Sequence, residues 1–168
     1  MVADATKCVH SPAMVEAFRG LVQEFIRRFG LLAGDQTPCG KPIPVSDAHA
    51  LMCLREAGEQ GLQQSALVAR LGIDKSTASR LVVRLSERGH VTSAPSPGDG
   101  RARPIRLTRK GHRIAREVDE ASTRRFAALL KNVPPRRRSD VILALRDIVA
   151  ALDQIIPDAE HQQGRRAS

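Results

Sequence analysis

Ser76, Ser79, Arg80 and Arg84 recur at helical spacing, and Asp99, Arg101, Arg103 and Arg106 follow them in a glycine-rich stretch. In this pattern these residue types favour recognition of DNA over catalysis. An arginine fork matches two acceptors on a guanine edge, serine reaches bases or phosphates, and Val83 on the same face suits a thymine methyl. Lys75 and Thr77 flank the start of the segment and suit phosphate contacts. Asp74 as a cap would leave nearby backbone N–H groups facing a phosphate. A solvated polar face on an ordinary surface helix is the competing reading.

The elements around these residues favour recognition. Ala78, Leu81, Val82 and Leu85 form an inward stripe on a helix of about 75–88, capped by Asp74 and stopped by Gly89. A shorter helix of about 65–71, with Ser65 as cap and Gly72 at its end, precedes it. Two helices across a glycine turn are the helix-turn-helix pattern. After it, 90–93 and 105–107 read as two strands of a hairpin whose loop carries Pro95, Pro97, Gly98 and Gly100. From Arg101 to Arg116 there are seven Arg and Lys residues and no acidic one. An arginine at that tip suits a narrow minor groove, with Asp99 holding it in place.

Composition points the same way. The chain has 168 residues, room for one domain with a real core, and a formal net charge of +9. Such a balance favours a polyanionic partner. There is no Trp or Tyr, and Phe18, Phe25 and Phe29 share a helical face that reads as core. Without exposed aromatics, single-stranded and looped RNA targets lose ground to duplex DNA. Cys8, Cys39 and Cys53 form neither an even set nor a CxxC pair, and no apolar run is long enough to span a bilayer. A soluble, cytoplasmic protein with no membrane partner is expected.

Flanking helices complete the pattern. Ser11-Pro12 reads as a helix start, and apolar residues recur from Met14 to Leu32. Residues 33–45 read as a loop. Ser46-Asp47 is read as the start of a second helix, ending near Gly58. Thr108 caps a long helix to about Leu130, Pro134 and Pro135 interrupt it, and a last helix of about 136–156 carries a wide stripe from Val141 to Ile155. The first and last helices offer more apolar surface than one small lobe can cover, so burial between two subunits is expected.

The run from Leu67 to Leu81, the segment Leu85–Val91, and Asp99-Gly100-Arg101 followed by Leu107-Thr108-Arg109-Lys110-Gly111 together resemble the winged helix-turn-helix of MarR-type regulators. The resemblance spans about 12–155. It implies a mainly α fold with a small β-hairpin wing, dimerised by N- and C-terminal helices. One domain over 1–168 results: dimerisation helices at 11–32 and 109–156, a DNA-binding lobe at 46–108, and a tail at 157–168 expected to be disordered. It also implies a homodimer on a pseudo-palindromic operator in double-stranded DNA, and repression relieved by a small-molecule effector such as a phenolic. Gly100 stands where the family often has a second arginine, so Arg103 is expected to share that role.

For the effector, a cleft between the dimer helices and the DNA-binding lobe is expected, with Arg19, Arg27, Arg28 and His49 as candidate carboxylate anchors. A thiol- or metal-responsive sensor using Cys8, Cys39 or Cys53 is the alternative, although no pair has a standard metal spacing. An enzyme is disfavoured: no GxSxG, HExxH or glycine-rich phosphate loop occurs, so no catalytic residue, cofactor or metal is expected. A sequence-blind basic DNA-coating protein is the rival of another class. It needs charge but no defined reading helix.

Overall fold

The computed structural model describes residues 11–94 and 103–155. The hairpin tip with Asp99 and Arg101, the segment with Cys8, and the expected tail lie outside those residues. Within them the fold is mainly α with one small antiparallel sheet.

Helix α1 (Pro12–Phe29) starts as expected: Ser11 accepts from the Met14 N–H at 3.3 Å, with Pro12 in the first turn. It stops at Phe29, earlier than the apolar run to Leu32 implies, because Gly30 turns left-handed. Helix α2 (Val45–Glu56) starts after Pro44, and Ser46-Asp47 is not its cap. Proline fixes the entry φ, and the Asp47 side chain is drawn into the protein instead. A short 3₁₀ turn at Gly58–Gln60 follows. Helix α3 (Gln64–Leu71) contains Ser65 in its first turn, so Ser65 is not the cap; Gly72 at φ 62° ends the helix. Helix α4 (Lys75–Glu87) is capped by Asp74 as expected.

Strands β1 (Val91–Ser93) and β2 (Ile105–Leu107) pair antiparallel, with Val91 opposite Leu107. Leu62 extends this sheet by a single bridge, exchanging hydrogen bonds with Ile105 at 3.0 and 2.7 Å. The bridge needs Gly61, which sits at φ 69° and where any Cβ would overlap the Ile105 carbonyl oxygen.

Helix α5 (Arg109–Lys131) begins where Thr108 accepts from the Gly111 N–H at 3.0 Å. Its first turn lies directly against His90, the residue before β1, and a Cβ on Gly111 would collide with the His90 carbonyl oxygen. Backbone cannot yield as a flexible side chain does. Gly111→Ala is therefore expected to destabilise the fold by about 1–3 kcal/mol, the usual cost of overpacking, measured by urea unfolding. Unchanged stability would mean that α5 does not press on the wing.

One core unites the lobe: Leu51 and Leu54 from α2, Leu67, Leu81, Leu85, Val91, Ile105, Ala115 and Val118. The first half of α5 is thus consumed within its own lobe. Val118 is buried and Ile114 packs on the same cluster, so the start of the segment 109–156, expected to serve dimerisation, lies in the lobe core. The 3₁₀ turn Pro135–Arg137 leads into helix α6 (Arg138–Ile155). Neither α1 nor α6 buries a residue. Among the described contacts, α1 is tied to α5 where Phe29 meets Phe126 with ring centroids 5.2 Å apart. There the Arg125 guanidinium donates to the Phe29 carbonyl at 2.9 Å. Met14, Phe18, Leu21 and Phe25 on α1, and Ile142, Leu145, Val149 and Leu152 on α6, remain exposed.

Candidate nucleic-acid interface

Helix α4 presents Lys75, Ser76, Ser79, Arg80 and Val83 to solvent, while Ala78, Leu81 and Leu85 are buried beneath them. The amphipathic split read from spacing is therefore the one in the fold. Val83 on the same face is 53% exposed.

The start of α4 is more tightly organised than a bare helix end. Asp74 accepts from the Thr77 N–H at 2.9 Å and from the Ser76 and Thr77 hydroxyls at 2.6 Å each. Those hydroxyls and that N–H hold the Asp74 carboxyl well below the usual carboxylate range. The Thr77 N–H is thus already occupied and is not free for a phosphate. Arg80 in turn donates to the Thr77 hydroxyl oxygen at 3.3 Å. A chain from Asp74 through Thr77 steadies Arg80 on the exposed face.

Arg84 is placed differently. Its Nε donates to both oxygens of Asp47 at 3.0 and 3.2 Å, and a second guanidinium nitrogen also reaches that carboxylate. Arg88 adds a longer contact at 3.4 Å. Asp47 is fully buried, whereas the Arg84 side chain stays 37% exposed. The hydrogen bond it donates to Asp47 holds the Arg84 guanidinium above its ordinary pKa, so it is charged at any physiological pH. Asp47 is the residue that sequence reasoning missed in this role. It stands 37 positions from Arg84 in the chain, and no local pattern links the two.

At the wing base, Arg103 is exposed and its carbonyl accepts from the Ser93 hydroxyl at 3.1 Å. Arg106 is turned inward to the 3₁₀ turn, donating to the Glu59 carbonyl at 2.9 Å. It braces the wing and is not offered outward. Asp99 and Arg101 lie outside the described residues.

The candidate effector anchors are dispersed. Arg19 and Arg28 pair with Glu16 at 3.9 Å and Glu24 at 2.7 Å along α1, Arg27 is exposed in its last turn, and His49 is exposed on α2. The structure does not bring them together around a common cavity. Of the thiols, Cys39 lies 3.0 Å from the Thr37 hydroxyl, and burial pushes the Cys53 thiol up, away from the reactive thiolate.

A two-helix reader with a bracing hairpin defines a winged helix-turn-helix protein. Residues 42–102 match the model of the MarR family. The chain around that segment has the fold of a solved MarR transcriptional regulator. The transcriptional repressor MprA of Escherichia coli K12 is 28% identical over 109 residues, which are 65% of this chain and 62% of MprA. The matched stretch therefore spans under two thirds of that relative. Among solved structures, a MarR transcriptional regulator from Methanosarcina mazei Go1 superposes with a TM-score of 0.65 at 24% identity, covering 83% of this chain and 99% of its own. Bordetella bronchiseptica BpsR, described for regulation of its DNA binding by 6-hydroxynicotinic acid, gives 0.62 at 18% identity, with 86% and 98% covered. No described helix is long and apolar enough to cross a membrane.

Proposed function

We propose that the protein is a sequence-specific, double-stranded-DNA-binding transcriptional repressor that acts as a homodimer on a pseudo-palindromic operator and is released by a small-molecule effector. The observation that carries this reading is the outward face of α4, where Ser76, Ser79, Arg80 and Val83 stand exposed on a buried stripe. These side chains can contact base edges, Lys75 and the wing can contact the backbone, and the two functions are separable by mutation. Repression is supported by the MprA likeness, and a small-molecule effector by the BpsR likeness. The exposed apolar faces of α1 and α6 support a dimer.

Arg80→Ala is expected to cost about 1–3 kcal/mol on the preferred site and to relax preference at one or two base pairs. Lys75→Ala is expected to weaken binding evenly across sequences and to flatten the salt dependence. Both are read by competition binding against single-base-pair variants of a selected site. Equal losses for Arg80→Ala on selected and random duplexes would remove base reading from α4.

A further inference from the structure

The first turn of α4 has fewer free donors than its residue types imply. An ionised carboxylate only accepts, so the Ser76 and Thr77 hydroxyls both donate to Asp74, at 2.6 Å each. Together with the Thr77 N–H they hold the Asp74 carboxyl well below the usual carboxylate range, so it is ionised at any physiological pH. A hydroxyl carries a single proton. Ser76 and Thr77 have each used theirs, and neither can donate to a phosphate oxygen while Asp74 is engaged. What each keeps is an acceptor. The charge on Asp74 also repels a phosphate at that point.

Thr77 spends its acceptor on Arg80, whose Nη2 donates to the Thr77 hydroxyl oxygen at 3.3 Å. Asp74, Thr77 and Arg80 follow one another at i, i+3 spacing, so both bonds run along one face of the helix. Thr77 is half-buried beneath that face, whereas Asp74 and Arg80 are exposed. A hydroxyl that donates to a carboxylate is polarised into a better acceptor, so Asp74 strengthens the hold on Arg80. A guanidinium has five N–H donors, and this bond uses a single one. The rest of its planar fork stays free for two acceptors side by side, the pattern that guanine O6 and N7 present.

We propose that Thr77 is a positioning residue for base reading: anchored on Asp74, its hydroxyl holds the Arg80 guanidinium toward a guanine edge and makes no phosphate contact of its own. This deepens the DNA-reading function proposed above and rests on it, although the restraint on Arg80 exists without DNA. It replaces the phosphate role that the place of Thr77 at the start of α4 implies. That role falls to Lys75, exposed two positions before it.

The test compares the full chain with its Thr77→Val, Thr77→Ser and Arg80→Ala variants and with the double variant Thr77→Val, Arg80→Ala. Valine matches threonine in shape and keeps the backbone N–H bond to Asp74, so the thermal transition should stay cooperative. On a duplex selected from a random pool, Thr77→Val is expected to lose affinity about threefold to tenfold, the worth of one neutral hydrogen bond. The loss should fall at the same G·C pair where Arg80→Ala relaxes preference. Thr77→Ser keeps the hydroxyl and should bind like the parent. Once Arg80 is alanine, the valine substitution should cost less than about twofold, because nothing is left to position. A phosphate contact by Thr77 would instead give the same loss with and without Arg80, on selected and scrambled duplexes alike, and that result would overturn the proposal. So would a serine variant as weak as the valine one.

Without DNA, the restraint is read from NMR relaxation of the Arg80 Nε–H, whose order parameter should fall in Thr77→Val and hold in Thr77→Ser. Equal order in all three proteins would overturn it. If Arg80→Ala and the parent prefer the selected duplex equally, base reading by α4 fails and the specificity role of Thr77 fails with it, while the relaxation result still decides the restraint.

Discussion

Arg84→Ala is expected to lower folding stability by about 3–4 kcal/mol, toward the lower end of the cost of breaking a buried ion pair. The reason is asymmetric burial. Asp47 is fully enclosed, so losing its main partner leaves a charge with little beyond the 3.4 Å contact to Arg88. The arginines are partly solvated and lose less if the carboxylate goes, which places the effect in the lower half of the range. For a domain of this size the transition temperature should fall by roughly 5–15 °C, measured by calorimetry. Arg80→Ala, on the same helix and equally basic, should stay within about 0.5 kcal/mol of the parent because Arg80 is exposed. The double variant Asp47→Asn with Arg84→Met should recover much of the lost stability, since it removes the buried charge along with its partner. Two arginine variants of equal stability would show that the clamp contributes nothing.

Truncation after Pro134 is expected to abolish the dimer and to weaken binding to a two-half-site duplex by about 10²–10⁴-fold, the span lost when linked binding becomes single. The cut removes α6, whose apolar residues Ile142, Leu145, Val149 and Leu152 are exposed among the described residues. It leaves α2 to α5 intact, and the lobe core from Leu51 to Val118 does not include α6. The shortened protein should therefore still fold cooperatively and still bind a single half-site weakly. Sedimentation and binding to one-half-site and two-half-site duplexes measure both effects. A shortened protein that remains dimeric, or a monomer with full affinity, would show that α6 does not join the subunits.

The reading region was legible because its punctuation is local. Asp74 and Gly89 bound α4, and Gly72 ends α3, by capping chemistry that needs no tertiary partner, and Thr108 starts α5 in the same way. The wing strands were legible from their alternation and the loop between them, and Ile105–Leu107 falls where that alternation places it. What escaped was non-local. The Asp47–Arg84 clamp joins residues 37 positions apart, and a lone aspartate after Pro44 resembles a helix cap until its burial is seen. Leu62 joins the sheet as one residue between Gly61 and Gln63, too short for any periodic signal. The stripe along α5 is divided: its first half packs on the lobe, while Phe126 and Leu129 stay exposed. Periodicity says that a face is apolar. It does not say what covers it.

The central claim is that α4 reads base edges, and a selected duplex tests it most directly. A preferred sequence is recovered from a random pool, and its affinity is compared with that of a scrambled duplex at about 0.15 M salt. The account predicts a preference of about 10³-fold or more, the lower bound for specific regulators, and its collapse in Arg80→Ala. Equal binding of both duplexes, in the 10⁻⁴–10⁻⁶ M range of purely electrostatic contact, would contradict it and leave a basic protein that coats DNA without reading it.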